Sequence, residues 1–159
     1  MQKRSFLLLS LLVPAFLGLG GYAPVQGQQK GSPARAKRWS DAATWPDKKV
    51  PGANAVVTIG RDMDVILDVS PPALHGLTIN GKLSFADDKD LELSTEWIML
   101  HGELEIGTEA KPHTHKATIT LTDNVKGEDF GGLGGNDRSD RGIMLMGGTL
   151  NLHGPEKAT

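Results

Sequence analysis

The segment His101-Gly-Glu-Leu-Glu-Ile106 is the most informative about the fold. Its pattern recurs at Asn80-Gly-Lys-Leu-Ser-Phe85 and Gly147-Gly-Thr-Leu-Asn-Leu152, which indicates a repeated structural unit. Each copy has glycine in second place, followed by a leucine and a further apolar residue that alternate with polar ones. Alternation with a period of two is typical of a half-buried β-strand. An apolar strand precedes each copy, so the repeated unit is a strand, a glycine corner and a second strand.

The repeat length indicates how these units are arranged. The preceding strands are centred on Ile79, Leu100, Ile119 and Leu145, at spacings of 21, 19 and 26 residues. That spacing fits one coil of a solenoid, in which stacked coils bury a shared column of aliphatic side chains. The sequence therefore predicts an all-β fold, specifically a right-handed parallel β-helix or β-solenoid-like stack of strand pairs with little helix outside the signal peptide. A sandwich of β-hairpins is the competing interpretation.

The first 27 residues have the layout of a secretory signal peptide. A basic start, Met1-Gln-Lys-Arg4, precedes an apolar run from Phe6 to Leu19, and Val25-Gln-Gly27 places cleavage near Gly27. A retained membrane anchor is the alternative, although a membrane span needs about 20 apolar residues. We therefore expect a secreted protein of the extracellular space or cell envelope, with no stable membrane insertion after cleavage.

Composition bounds the domain organisation and the chemistry. The chain of 159 residues has no cysteine, which excludes disulfide scaffolds and thiolate metal sites. Removing residues 1–27 leaves 15 basic and 19 acidic residues, a charge of −4, which argues against nucleic acid as a partner. Beyond the signal peptide, the expected organisation is a flexible polar leader over 28–38, one β-domain over 39–154, and a tail over 155–159 that is a candidate truncation point.

Several motifs together resemble the G8 domain, a glycine-rich family built from repeated β-strand pairs. They include Trp39-Ser-Asp-Ala-Ala-Thr-Trp45, Val56-Val-Thr-Ile59, Leu104-Glu-Ile-Gly-Thr-Glu109, Lys116-Ala-Thr-Ile-Thr-Leu121 and Gly147-Gly-Thr-Leu-Asn-Leu-His-Gly154. The resemblance implies a secreted or cell-surface module, related to hyaluronan-depolymerising proteins and fibrocystin, that precedes a longer β-helix. Only five residues follow Gly154 here, so that downstream β-helix domain is absent from this sequence.

The segment 128–142 contains the most distinctive candidate site. Its Gly131-Gly-Leu-Gly-Gly-Asn136 core resembles half of a calcium-binding nonapeptide, so calcium is a candidate ligand of Asp129, Asp137 and Asp140. In the same segment, Arg138 and Arg141 are candidates for pairing with carboxylates of an acidic glycan. A connecting loop without a ligand is the simpler interpretation. No cofactor is established by any motif.

Two further pairs have both a functional and a structural interpretation. Trp39 and Trp45 are candidates for stacking on sugar rings or, alternatively, for sealing the end of the strand stack. His113 and His115 lie two residues apart, so an extended backbone places both imidazoles on one side, where they are candidate metal ligands or ordinary loop residues.

Three functions are compatible with these observations. The first is binding of an extracellular polysaccharide, with hyaluronan as one candidate. The second is depolymerisation of a hyaluronan-like glycan, although no catalytic residues are identifiable and the residues favour a module that is not itself an enzyme. The third is a structural cap for a downstream β-helix.

Overall fold

A computed structural model describes residues 35–122 and 141–156, and these form strands joined by short loops, with one turn of 3-10 helix at Ala42–Thr44. The strands are β1 (Lys37–Arg38), β2 (Val56–Ile59), β3 (Asp64–Leu67), β4 (Leu74–Ile79), β5 (Lys82–Phe85), β6 (Leu91–Leu100), β7 (Glu103–Ile106), β8 (Ala117–Leu121), β9 (Gly142–Leu145) and β10 (Thr149–Leu152). The predicted all-β character is confirmed for this part of the chain.

The strands form two sheets in which every described pair is parallel. One sheet has the order β1-β3-β5-β7-β10, and the other has the order β2-β4-β6-β8, with β9 also paired to β6. From β1 to β8 the chain alternates between the two sheets, so neighbours within each sheet are two strands apart in sequence. Parallel pairing excludes a hairpin sandwich for these strands, because hairpins pair consecutive strands antiparallel.

The longest strand, β6, pairs with two later strands along its length. Its first half pairs with β8 through Leu93↔Ile119, and its second half pairs with β9 through Ile98↔Ile143. Buried side chains follow a two-residue period up to Thr95 and then the opposite phase from Glu96 onward. β8 and β9 therefore lie beside successive halves of one strand.

The core lies between the sheets and consists of aliphatic side chains stacked in register. Ile59 pairs with Ile79, Ile79 with Leu100, and Leu100 with Leu145. In the other sheet Val65 pairs with Leu83, and Leu83 with Leu104. The first three members of each column are fully buried. Burial of this continuous apolar surface is the main stabilising contribution available to a chain without disulfides.

Glycines at the corners between strands allow neighbouring backbone segments to approach closely. A Cβ at Gly81 would lie 2.1 Å from the carbonyl oxygen of Gly60, and one at Gly102 would lie 1.9 Å from that of Gly81. At Gly148 the distance to the Leu100 carbonyl oxygen would be 2.5 Å. Any other residue would collide with main-chain atoms at these positions, which explains the glycine in each repeated unit.

The two ends of the stack differ. At the amino-terminal end, β1 pairs with β3. Its residues Lys37 and Arg38 belong to the predicted leader. They can still form a strand, because main-chain pairing does not require apolar side chains. Trp39 and Trp45 are buried at this end. Two valines near this end, Val50 and Val56, are 40% and 59% exposed. At the other end, four large apolar side chains on or beside the last described strands are exposed: Leu121, Leu145, Met146 and Leu152, at 41%, 54%, 58% and 57%.

Candidate functional site

His113 and His115 both lie near the carboxylate of Asp87, which belongs to an earlier loop of the chain. Asp87, in the loop after β5, accepts hydrogen bonds from the His115 and Thr114 backbone N–H groups at 2.9 and 2.8 Å. His115 Nδ1 lies 3.1 Å from Asp87 Oδ1, and His113 Nδ1 lies 3.6 Å from the same atom. Both imidazoles therefore approach one carboxylate oxygen.

Hydrogen bonding keeps Asp87 ionised. The backbone N–H of His115 makes the largest contribution, and the His115 ring and Thr114 add to it, so the pKa of Asp87 lies well below its ordinary value. Asp90 supports the same segment by accepting from the Lys116 backbone N–H at 3.0 Å. These two aspartates fasten the loop between β7 and β8 to the loop between β5 and β6.

The two histidines differ in their exposure. The His113 side chain is 3% exposed, and its Nε2 has no hydrogen-bond partner among the described residues, whereas His115 is 41% exposed. No group of three or more His, Asp or Glu side chains within residues 35–122 and 141–156 has an arrangement that could hold a metal ion. Metal binding by His113 and His115 stays a prediction.

Two clefts flank the histidine segment. A cleft of about 410 Å³, the sheet-end cleft, lies where β3, β5 and β7 end and is lined by charged side chains that include Arg38, Asp88, Glu105 and Lys111. A second, of about 450 Å³, is lined mainly by apolar side chains such as Ile119, Ile143 and Leu152, with His113 and His115 at its edge. The first combines charges of both signs with apolar lining from the half-buried Ile66 and Ala86, and such combinations are typical of ligand sites.

Trp39 and Trp45, the candidate sugar-stacking residues, pack against each other. Their rings meet edge to face with centroids 4.8 Å apart, and Trp45 Nε1 donates a hydrogen bond to the Trp39 carbonyl oxygen at 2.9 Å. Trp39 is fully buried and Trp45 is 4% exposed. This burial favours packing at the amino-terminal end as the role of both indoles. Trp45 also lines a cleft of about 460 Å³ together with Val50 and Val56, and sugar stacking there stays a prediction.

The predicted ligand loop lies almost entirely outside the described residues. Arg138, Asp129, Asp137 and Asp140 belong to it, and their roles in glycan or calcium binding stay predictions. Arg141 is described and exposed, directly before β9. In the pairing of β9 with β6, Gly142 lies opposite Trp97. Arg141 directly precedes this pairing.

The family model of the G8 domain matches residues 44–159. The chain belongs to the G8 domain family. This G8 domain is 34% identical to human fibrocystin-L over 118 residues, which cover 73% of the chain and 3% of that protein. It is also 34% identical to mouse fibrocystin over 121 residues, 74% of the chain and 3% of that protein. The chain thus spans about 3% of the length of these curated relatives. No solved structure matches it.

Asp87 is the site residue that reasoning from sequence missed. The carboxylates near the histidines in sequence are Glu109 and Asp123, whereas Asp87 precedes His115 by 28 residues. The repeat length indicates that the loop after β5 lies beside the loop after β7. It does not indicate which side chains meet, because the second loop is longer than the first. Separately, none of the described residues form a helix long and apolar enough to cross a membrane.

Proposed function

We propose that this G8 domain caps the amino-terminal end of a longer parallel β-solenoid. The observation that supports the proposal is the group of exposed apolar side chains on and beside the last strands, Leu121, Leu145, Met146 and Leu152, whereas the other end has the buried pair Trp39 and Trp45 beside two exposed valines, Val50 and Val56. In this proposal the two parallel sheets are the faces of a right-handed β-helix, and a further coil pairs with β8, β9 and β10. An exposed apolar end with unpaired strands is otherwise a site of aggregation.

The proposal is tested by adding one coil. A copy of residues 86–106 is fused directly after Leu152, because Leu152 pairs with Ile106 and therefore occupies its register position in the last coil. The control carries the same copy with serine at the positions of Leu93, Ile98 and Leu100. We expect a higher melting temperature and new protection of β10 amides from hydrogen exchange with the apolar copy only. Equal melting temperatures and unchanged exchange in both fusions would reject the cap.

We further propose that the module is exported by its predicted signal peptide and binds an extracellular polysaccharide. The sheet-end cleft supports this second function, because hydrogen-bonding side chains of both signs lie there beside the half-buried apolar side chains of Ile66 and Ala86. Electrophoresis of the purified protein through native gels containing hyaluronan or dextran tests it. Retardation in either gel supports binding, chain shortening of the polymer would identify a depolymerase, and unchanged mobility in both gels contradicts the proposal.

A further inference from the structure

The sheet-end cleft is built from rigid parts. On one side, residues 108–111 form a tight turn in which the Thr108 N–H donates to the Lys111 carbonyl oxygen at 2.9 Å and the Lys111 N–H donates back at 3.1 Å. Gly107, with φ of +73°, starts this turn, and a Cβ there would lie 2.4 Å from the His153 carbonyl oxygen. On the other side, Asp87 is held by Thr114 and His115. A preformed cleft of this kind avoids the entropy cost of ordering loops on binding.

Most charged groups around the sheet-end cleft already have partners. Asp87 accepts hydrogen bonds from the histidine segment, and Glu105 pairs with Lys82 at 2.7 Å. Arg38 forms an ion pair with Asp68, with a guanidinium nitrogen 3.3 Å from a carboxylate oxygen. Asp88 and the Lys111 ammonium make no hydrogen bond or ion pair with any other residue that the structure describes. One acceptor and one donor of opposite charge are therefore available to a ligand.

The balance of charge indicates what kind of ligand fits. The lining contains two basic side chains, Arg38 and Lys111, and three acidic ones, Asp87, Asp88 and Glu105, so its formal charge is 2 − 3 = −1. A polyanion gains no net attraction from such a lining. Uncharged hydroxyl groups, in contrast, form strong charge-assisted hydrogen bonds with both a carboxylate and an ammonium group.

We propose that the sheet-end cleft binds an uncharged sugar unit, with Asp88 accepting hydrogen bonds from sugar hydroxyls and Lys111 donating to hydroxyl or ring oxygens. The half-buried side chains of Ile66 and Ala86 supply the apolar part of the lining, against which C–H groups of the ring would pack. This inference rests on the proposed polysaccharide binding and adds to it the location of the site and the selection of neutral over acidic glycans.

Calorimetric titration of the purified protein with cellotetraose, maltotetraose, chitotetraose and a hyaluronan tetrasaccharide tests the inference. The variants are Asp88→Ala and Lys111→Ala, and the matched control is Glu109→Ala, an exposed carboxylate on the same turn as Lys111 that does not line the cleft. We expect at least one neutral tetrasaccharide to bind. Each cleft variant should weaken that binding about tenfold or more, and the control should leave it unchanged.

Three results would overturn the inference in distinguishable ways. Binding of a neutral sugar that both cleft variants retain at full strength would place the site elsewhere and leave polysaccharide binding intact. Tighter binding of the hyaluronan tetrasaccharide than of every neutral sugar would contradict the selection by charge. Absence of binding to all four sugars, together with unchanged mobility in both polysaccharide gels, would reject the proposed polysaccharide function itself.

Discussion

Gly102 lies directly above Gly81, so close that a Cβ on Gly102 would be 1.9 Å from the Gly81 carbonyl oxygen. The same corner is held by hydrogen bonds, because the Glu103 N–H donates to the Gly81 carbonyl oxygen at 2.8 Å and the Gly102 N–H donates to that of Ile79 at 2.8 Å. Close stacking of main chain on main chain leaves no route by which a side chain could move aside.

Gly102→Ala should therefore lower the free energy of unfolding by about 3 kcal/mol, at the upper end of the range for overpacked positions. Gly52→Ala is the control, since nothing described lies within 4 Å of a Cβ there. Urea denaturation followed by circular dichroism measures both. Equal stability of the two variants would show that the corner relaxes and that close stacking is not what requires glycine.

The in-register pair Leu100 and Leu145 allows the closed and open parts of the stack to be compared. Leu100 is fully buried, so Leu100→Ala should cost about 2–5 kcal/mol of stability. Leu145 is 54% exposed, so Leu145→Ala should cost less than about 1 kcal/mol. Denaturant midpoints give the comparison. A large loss at Leu145 would mean that the end of the stack is covered in solution.

Asp87→Asn should reduce the stability of the protein near neutral pH and weaken its dependence on acid. Because the folded pKa of Asp87 lies below its ordinary value, its contribution is present above about pH 4, the pKa in the unfolded chain, and is lost as pH falls through the folded pKa. Melting temperatures between about pH 7 and pH 3 measure the effect.

Asp88→Asn is the matched control for that experiment, because the neighbouring Asp88 makes no hydrogen bond to a described residue. Its acid profile should follow that of the unmodified protein. If Asp87→Asn also follows that profile, the hydrogen bonds to Thr114 and His115 do not stabilise the folded state.

Trp45→Phe should destabilise the amino-terminal end by about 1–2 kcal/mol, since it leaves the buried Trp39 carbonyl oxygen without the donor that Trp45 Nε1 supplies. Thermal unfolding gives the stability, and sugar titrations give the function. Weaker sugar binding without loss of stability would restore the interpretation of these indoles as a sugar platform.

Local pattern was sufficient to predict the all-β character, the glycine corners and the family, whereas β1 at Lys37–Arg38 lies in the predicted leader. The period of two in Leu104 and Ile106 identifies a strand wherever it lies, because it depends only on the alternation of side chains along an extended backbone. The recurrence of glycine before such strands similarly indicates a close backbone approach, which the stacking of Gly102 on Gly81 confirms.

The same pattern could not assign the roles of individual side chains. Trp39 and Trp45 had two interpretations, and only their mutual packing and burial distinguish between them. Asp87 carries no sequence signal that links it to His115, since the contact depends on how two loops of unequal length close over the ends of the strands.

Short strands, glycine corners and the G8 motifs are readable from the sequence, because these features arise from interactions among residues near one another in the chain. Tertiary contacts were needed to choose parallel pairing over a sandwich of hairpins, to show that Trp39 and Trp45 are buried together at one end, and to bring Asp88 and Lys111 to one cleft. Those properties depend on contacts between residues far apart in the chain, and the lengths of the intervening loops set those contacts.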